Sequence, residues 1–513
     1  MRYKILLIGS GIFWMGMMGL LFHRNSEFGV SKIAPSAIRN AEFETPQSEF
    51  RIPHQEEGLG GVEWMGIYLQ GNKIGSVMSL TDTTSGGDLH MIERASIRLS
   101  LLGQPRDAMT YLSAIADTLF STKSFTFEIA SGDHSLKAEG KVKGDDLFVS
   151  IHTGGLKREE KFSLNETYLP LSIEALVAKK GFKEGDRFTF PIFDPTTLKP
   201  GEMTVLVGGE ETIDLCRGIS PKVDRSPTMV KGRLLTLNFL GVETRVWVNE
   251  RGEVLREEGP MGLVMVRESE KEAQQFPSGE PVEILTLFSI PSNLEIENPR
   301  KARFLRVKLE GEDLEDLSIG DERQKIQSLP DGVLVEINGV NPVNPLNPLT
   351  NEDDLSPTSL IQSDEEEIQN LAREIVGDDK DPSNQMELLT AWVYENLEKV
   401  PTISIPSALD VLKTKEGDCN EHSILFAALS RSLGTPTRIA VGVVYLDGFF
   451  YYHAWNRVYL QSDGLSVWVD VDPTFGQSQV DATHIKLAEG ELDRQAELAN
   501  LIGRLKIEVL EYR

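Results

Sequence analysis

The stretch "EGDCNEHSILFAALSRSLG", residues 416–434, decides how the C-terminal third of the chain folds. Gly417 and Asp418 are typical helix-start residues, and the closing glycine with a proline soon after it is a typical stop, so a helix is predicted over residues 419–433. Cys419, one of only two cysteines in 513 residues, then lies in the first turn. Unpaired N–H groups there favour negative charge, so we expect a lowered thiol pKa and a nucleophilic thiolate.

A second stretch, "FFYYHAWNRVYL" at residues 449–460, alternates in the manner of a β-strand. The alternation places four side chains on one face: His453, Trp455, Arg457 and Tyr459. An imidazole at such a position can act as the general base to a thiol. Taken alone, the strand is also consistent with a histidine whose hydrogen bonds are satisfied in the core.

A third stretch, "LSVWVDVDPTFG" at residues 465–476, places Trp468, Asp470 and Asp472 on one face before Pro473 ends the strand. A carboxylate next to an imidazole fixes the tautomer of the ring and stabilises its charged form. Two aspartates are candidates for that role, and the alternation by itself does not choose between them.

Together, the three stretches resemble the transglutaminase-like superfamily, whose papain-like core carries a Cys/His/Asp triad. The match consists of a cysteine at a helix start, "ALSRSLGTPTRIAVG" after it, "HAW" 34 positions later (453 − 419) and "DPT" another 19 positions on (472 − 453). The resemblance covers roughly residues 365–490. It implies that Cys419 is the nucleophile, His453 the base and Asp472 the orienting acid, which leaves Asp470 as a neighbour outside the triad.

The resemblance implies thiol-dependent acyl chemistry on protein or peptide amides through a thioester on Cys419. Hydrolysis by a peptidase, amidase or deamidase is the expected outcome. Transfer to an amine, as in a crosslinking transglutaminase, and a non-enzymatic envelope scaffold are the alternatives. The developing oxyanion needs hydrogen-bond donors, for which the Cys419 backbone N–H is one candidate and the side chains of Trp392 and Asn420 are others. No cofactor is expected.

A zinc site is a further alternative. Cys419 and His422 are three positions apart on the predicted helix and could bind zinc together with His453, Asp472 or His484. A closed zinc site would occupy the nucleophile, and the triad already accounts for the cysteine, histidine and aspartate. We therefore predict no metal and expect His422 and His484 to be structural or to line the site.

Ahead of this module the sequence has the pattern of β structure. The stretch "VEWMGIYLQGNKIGSVMSL", residues 62–80, contains two apolar runs joined at Gly71 and Asn72, as in a hairpin. Similar short strands recur further on, and one helix is predicted near "LSIEALVAKKG". The pattern favours a large antiparallel meander, curved or sandwiched to cover its apolar face.

The N-terminus, "MRYKILLIGSGIFWMGMMGLLFHR", has an uncharged apolar run over residues 5–22 that follows Arg2 and Lys4. The run approaches the length of a bilayer span and continues directly into His23 and Arg24, without the small residues of a cleavage site. An uncleaved signal anchor is predicted, with the bulk of the chain on the periplasmic side of a bacterial inner membrane.

The predicted fold is therefore multidomain, with a transmembrane helix, β structure and a C-terminal α+β papain-like domain. The predicted segments are a signal anchor (1–24), a linker (25–60), an antiparallel β domain (61–270), a small β segment (281–340), a proline-containing linker (341–362) and the transglutaminase-like domain (363–513).

Charge and cysteine content exclude other classes. The chain has 52 basic and 79 acidic residues, and the resulting formal charge of −27 would repel nucleic acid. Cys216 and Cys419 lie in different predicted domains, so a disulfide framework is excluded. The expected partners are a protein or peptide substrate and the membrane, through the N-terminal helix. The sequence sets no oligomeric state.

Overall fold

The computed structural model describes residues 61–513, apart from 133, 165, 220–226, 277–279, 312–313, 315–319, 340–351, 463–464 and 491–496. The predicted signal anchor, the tether that follows it and half of the second linker lie outside the described residues. Within the described ranges, no helix combines the length and the apolar character that crossing a membrane requires.

In the described part of the chain, fourteen strands form one antiparallel sheet. They are β1 (Glu63–Leu69), β2 (Asn72–Thr83), β3 (Leu89–Leu101), β4 (Gln104–Ala116), β5 (Thr122–Ser131), β6 (His134–Lys143), β7 (Asp146–Thr153), β8 (Leu156–Ser163), β9 (Arg187–Asp194), β10 (Lys199–Asp214), β11 (Met229–Phe239), β12 (Val242–Val248), β13 (Val254–Glu258) and β14 (Leu263–Glu268). Their spatial order is β8 through β1, then β14 back through β9. The sheet is thus two meanders joined where β1 pairs with β14.

Alternation of side chains explains why these segments form strands. On β5, Phe125, Phe127 and Ile129 are buried while most residues between them are not, as expected for a strand with one face on the core. The predicted hairpin also forms, because Leu69 pairs with Asn72 where β1 meets β2. The large antiparallel β region predicted from the sequence is therefore confirmed.

The two end strands of the sheet approach each other across its apolar face. Phe162 on β8 and Phe193 on β9 have ring centroids 5.3 Å apart, and Phe125 lies 5.5 Å from the same Phe193 ring. The predicted helix is α1 (Ile173–Lys180), and its buried Ile173 and Val177 join this core. The sheet is thus curved around its own apolar side chains.

The C-terminal module is α+β. Two short helices precede it, α2 (Glu270–Gln274) and α3 (Ile284–Phe288), and its own helices are α4 (Glu366–Val376), α5 (Pro382–Asn396), α6 (Ala408–Thr414) and α7 (Cys419–Ser432). Its sheet has the order β15 (Ile290–Pro291), β22 (Phe449–Ser462), β21 (Thr437–Leu446) and β24 (His484–Glu489), with β23 (Leu465–Val471) also paired to β22. Helix α7 packs on β21 and β22 and contacts α4, α5 and α6. The predicted helix over residues 419–433 is confirmed to within one residue.

A smaller sheet combines distant parts of the chain. Its order is β17 (Gln324–Leu329), β18 (Gly332–Asn338), β16 (Phe304–Glu310) and β25 (Lys506–Tyr512). The predicted small β segment therefore takes its fourth strand from the C-terminus, a pairing that local pattern does not reveal. A last pair, β19 (Glu398–Lys399) and β20 (Glu416–Gly417), runs parallel beside the start of α7.

The β region docks on the segment that leads to α7. His134 Nδ1 lies 2.9 Å from Asp410 Oδ2 on α6, and Thr153 Oγ1 donates to Ser407 Oγ at 3.2 Å. Gly154 is required at this contact because it has a φ of +57° and a β-carbon there would lie 2.7 Å from the Asp410 backbone nitrogen. The sheet thus contacts the C-terminal module shortly before Cys419.

Candidate active site

The start of α7 holds Cys419 in a tightly capped turn. Asp418 caps the helix by accepting from the Asn420 N–H at 3.0 Å, and Glu421 Oε2 accepts from the Asp418 N–H at 2.9 Å, which completes a capping box. Gly417 is required because a β-carbon there would lie 2.2 Å from the Glu421 side chain. The motif therefore fixes the backbone that carries the thiol.

Two buried carboxyl groups lie behind this turn. Glu421 also accepts hydrogen bonds from Thr402 Oγ1 at 2.8 Å and Ser404 Oγ at 2.6 Å. Burial and the neighbouring Glu421 charge raise the pKa of Asp418 well above its usual range. Burial opposes ionisation of Glu421 as well, but its hydrogen bonds outweigh burial and lower its pKa. The charged form is therefore disfavoured on Asp418 and favoured on Glu421.

The expected lowering of the Cys419 pKa is wrong. The Cys419 side chain is 1% exposed, and burial raises its pKa well above the usual range, with the carboxyls of Asp418, Glu421 and Asp472 adding to the rise. A hydrogen bond from the Ala454 backbone lowers it by less. Desolvation and nearby negative charge thus outweigh the helix dipole, and the resting group is a thiol.

His453 lies on β22 next to Ala454 and is bonded to Asp472. Its Nε2 is 2.8 Å from Asp472 Oδ2, which requires Nε2 to carry the proton. Its Nδ1 is buried and has no hydrogen-bond partner within the described ranges. The ring packs against Phe475, with centroids 5.1 Å apart. Nδ1 is therefore the nitrogen left to accept a proton from Cys419.

Each oxygen of the Asp472 carboxylate accepts two hydrogen bonds. Its Oδ1 accepts from the backbone N–H groups of Thr474 at 2.8 Å and Phe475 at 3.0 Å. Its Oδ2 accepts from His453 and also from His484 Nε2 at 3.1 Å. Burial alone would raise the pKa of Asp472, but the two imidazoles hold it well below its usual range. Asp472 thus stays ionised between two histidines.

His484 is the site residue whose role the sequence did not predict. It begins β24, opposite Val444, while His453 lies opposite Gly442 on the other side of β21. Positions 442 and 444 share one face, so both rings project to the same side. The available signal was the alternating "HIKLAE" strand shortly after Asp472, but only the pairing of β24 with β21 brings its first residue to the carboxylate.

The two imidazoles differ in charge preference. Burial lowers the pKa of His453, and the charges of His484 and Arg300 lower it further. Asp472 raises the same pKa, but by less than these effects together. Burial also opposes a charge on His484, but Asp481 and Asp472 outweigh it and raise its pKa. His453 therefore disfavours the charged form, as a general base requires, whereas the neighbouring carboxylates favour a charge on His484.

The competition between the two aspartates is resolved by their partners. Asp470 Oδ2 accepts from the Trp455 indole at 2.9 Å, and Asp470 Oδ1 accepts from Arg457 Nε at 3.0 Å. Arg323 lies 3.4 Å from the same carboxylate. Asp470 therefore stabilises the β22–β23 hairpin, and Asp472 is the aspartate that bonds to His453.

The other residues singled out from the sequence occupy different positions. His422 donates from Nδ1 to the Asp418 carbonyl at 2.6 Å, and burial lowers its pKa to about 4, so it is neutral. Trp392 on α5 is half-buried against the core. The buried Asn420 Nδ2 has no hydrogen-bond partner in the part of the chain that the structure describes, so it is the available side-chain donor beside Cys419.

The zinc grouping that pairs Cys419 with His422 does not form. Among the described residues, the one group of three whose potential ligand atoms converge is His453, Asp472 and His484, within 4.8 Å of one another. Those atoms already bond to each other, since both Nε2 atoms donate to the same oxygen. Hydrogen bonding accounts for the geometry without an ion.

The chain was compared with known proteins. Residues 369–473 match the Transglutaminase-like superfamily. These residues form a transglutaminase-like domain. The match contains Cys419, His453 and Asp472, and it ends before His484. No curated protein matches the chain.

Three solved structures share part of the fold. One is a candidate cysteine protease from Cytophaga hutchinsonii, at 19% identity over 42% of this chain and 89% of that chain, with a TM-score of 0.27. Another is a β-barrel-like protein from Brucella abortus, at 12% identity over 40% of this chain and 95% of the other, with a TM-score of 0.30. The third is a candidate protease from Parabacteroides distasonis, at 10% identity over 69% and 70%, with a TM-score of 0.17.

Proposed function

We propose that the transglutaminase-like domain hydrolyses protein or peptide amides through a thioester on Cys419. One observation carries the proposal: His453 bonds to Asp472 through Nε2 and keeps a buried Nδ1 without a partner, next to the residue whose backbone bonds to the Cys419 sulfur. This is the arrangement of nucleophile, base and orienting acid that thiol acyl chemistry needs.

The reaction begins from a neutral pair. As Cys419 Sγ attacks the carbonyl carbon, its proton moves to His453 Nδ1, and the imidazolium is stabilised by Asp472. The oxyanion develops at the start of α7, where the Cys419 N–H and the Asn420 amide are the candidate donors. Collapse breaks the C–N bond, and the leaving amine takes the proton from His453. Water then attacks the thioester, gives a proton to His453 and releases a carboxylic acid and the thiol.

The alternative acceptor is an amine. Attack by a lysine side chain on the same thioester would give an isopeptide crosslink instead of an acid, and every residue in the first half of the reaction would keep its role. The two outcomes are therefore distinguished by their products, and hydrolysis is the outcome we propose.

The test compares Cys419→Ala with the matched variant Cys216→Ala, which removes the only other cysteine. Envelope proteins are profiled separately for new cleaved ends, deamidated glutamines and isopeptide crosslinks. We expect cleaved ends or deamidation with the wild type and with Cys216→Ala, and neither with Cys419→Ala. Crosslinks without cleavage would establish the amine transferase instead, and identical profiles for all three chains would contradict catalysis.

We also propose that residues 1–24 tether the chain to the membrane with its bulk on the extracytoplasmic side, on the strength of the apolar run after Arg2 and Lys4. The full chain is expected to stay with the membrane after alkaline extraction and to be cut by protease added to spheroplasts. A chain lacking residues 2–24 that still remains in the membrane pellet would contradict the tether.

A further inference from the structure

A half-buried lysine lies at the edge of the active site. Lys399 on β19 is paired with Gly417 on β20, two residues before Cys419. The Val400 N–H donates to the Gly417 carbonyl at 3.1 Å, and Thr402 and Ser404 further along hold Glu421. This segment is therefore fixed along the start of α7.

The opposite side of this lysine faces the loop that follows the catalytic aspartate. Lys399 Nζ lies 3.9 Å from the centre of the Tyr394 ring, and a β-carbon on Gly476 would lie 2.9 Å from the same ring. Gly476 directly follows Phe475, which packs on His453. Lys399 is thus placed between the start of α7 and the turn after Asp472, the two segments that border the nucleophile and its base.

Within the described ranges the ammonium of Lys399 makes no ion pair and no hydrogen bond. Its Nζ contacts the Tyr394 ring. Asp472 is the nearby carboxylate that acts on Lys399, and that group already accepts four hydrogen bonds. Burial lowers the pKa of Lys399, as expected for a charge that lacks compensation.

Another lysine in the same domain, Lys486, is buried with carboxylate partners and so contrasts with Lys399. Lys486 is buried on β24, and its Nζ lies 2.6 Å from Asp321 and 2.5 Å from Glu489. Buried ammonium groups are stable when paired in this way. Lys399 keeps three donors for which the described residues supply no acceptor, in a protein with a formal charge of −27.

We propose that Lys399 is a specificity residue that binds a carboxylate of the substrate close to the scissile amide. The substrate class is then an anionic peptide, whose carboxylate belongs either to an acidic side chain or to a free C-terminus. A carboxylate beside Lys399 could accept from Nζ and remove the cost of burying the cation. The inference rests on the proposed function, since it gives a substrate class to the same thiol.

Peptide electrophiles that alkylate a thiol without turnover test this inference. The full chain in mild detergent carries Cys216→Ser, so that Cys419 is the sole thiol. Peptidyl chloromethyl ketones place the variable residue on the acyl side, and chloroacetyl peptides place it on the amine side. Both sets compare glutamate with glutamine at the variable position. The chloroacetyl peptides are C-terminally amidated for this comparison, and that set also includes the glutamine peptide with a free C-terminal carboxylate. Alkylation rates are measured by mass spectrometry.

In at least one probe set, an anionic probe should react about tenfold faster than its neutral counterpart. Lys399→Met should abolish that preference, Lys399→Glu should reverse it, and Lys399→Arg should keep it. The matched control is Lys380→Met, which removes an exposed lysine from the same domain and should leave the preference unchanged. The faster probe shows whether a side-chain or a C-terminal carboxylate is bound.

Three outcomes would overturn the inference: no charge preference in either set, a preference that survives Lys399→Met, or an equal loss for charged and neutral probes in that variant. Failure of the proposed function gives a different result, because Cys419 would then resist every probe or would react without amide turnover being found. An alkylation rate of Cys419 that does not depend on the charge of the probe contradicts only the role of Lys399.

Discussion

Strand β5 of the β region and the candidate site of the transglutaminase-like domain keep different kinds of side chain away from water. On β5 the inward positions are apolar, as Phe127 shows with 0% exposure, whereas Glu421, His453 and Asp472 in the domain are equally inaccessible. Apolar side chains need only a closely packed environment, but a buried charge is stable only when specific partners meet it. Substitutions in the sheet should therefore reduce stability, and substitutions in the domain should change chemistry.

The largest effect is expected from Asp472→Asn. An amide in place of the carboxylate can present its N–H to His453, which favours the wrong tautomer and removes the charge that stabilises the imidazolium. We expect about a 10⁴-fold loss of turnover, measured on the amide substrate that product profiling identifies.

Asp470→Asn is the matched control on the same strand face. It should lower stability by about 3 kcal/mol, because it leaves Arg457 and Arg323 with less compensation, and turnover per folded molecule should change far less. Equal losses of turnover in the two variants would contradict the division of roles.

Phe127→Ala should have the largest effect on the β region. The ring is fully buried on β5, and its removal should cost about 3–5 kcal/mol of unfolding free energy, measured by urea denaturation. Phe148→Ala on β7 is the matched control, since that ring is 39% exposed and its removal should cost about 0.5 kcal/mol. Alkylation of Cys419 in the folded fraction should be the same in both. Slower alkylation only in Phe127→Ala would show that the sheet shapes the site.

His484→Gln tests whether the second imidazole acts through charge. Glutamine can still donate to Asp472 but carries no cation, so the negative charge of Asp472 would act on His453 alone and raise the His453 pKa. The chain has eight histidines, which makes an NMR titration of ¹³C-labelled histidine tractable. His90→Gln, which removes a similar contact to Ser113 in the β region, should leave the His453 titration in place. An unchanged His453 pKa in His484→Gln would assign His484 a packing role only.

The smallest effect is expected where the two regions meet. The hydrogen bond to Asp410 raises the pKa of His134, although burial opposes the rise, and Glu421 adds to it. The resulting stabilisation is fully present below the unfolded-state pKa of about 6.5 and is lost as pH rises through the higher folded-state pKa. Hydrogen exchange of α6, corrected for intrinsic rates, should therefore be faster at pH 8 than at pH 6. His134→Gln should remove this difference, and a difference that persists would contradict the assignment.

Much of the architecture could be predicted because it depends on local pattern. Alternation of Phe125, Phe127 and Ile129 predicts a strand with one buried face, and this prediction does not depend on which distant segments pack on that face. The start residue Asp418 and the terminal Gly434 set the limits of α7 within a residue. The spacing of Cys419 from the strand that carries His453 was sufficient for the resemblance, because these elements follow one another along the chain.

Other features depended on contacts between distant segments. The fourth strand of the small sheet comes from residues 506–512 and pairs with β16, and no local signal links the two. The pKa of Cys419 was predicted in the wrong direction because position in a helix reports the dipole, while burial and the charges of Glu421 and Asp472 depend on packing. Alternation left both Asp470 and Asp472 as candidates and the resemblance implied Asp472, but only the structure gives the partners of each carboxylate.

The sequence by itself determined that this protein has a long antiparallel β region and a domain with a cysteine at a helix start, because strand alternation, helix limits and motif spacing are local properties of the chain. Only the tertiary structure decided that His453 and His484 share the Asp472 carboxylate, and that Lys399 forms no ion pair within the described residues. These are properties of distances and of desolvation, and groups far apart in the chain acquire both only when the fold brings them together.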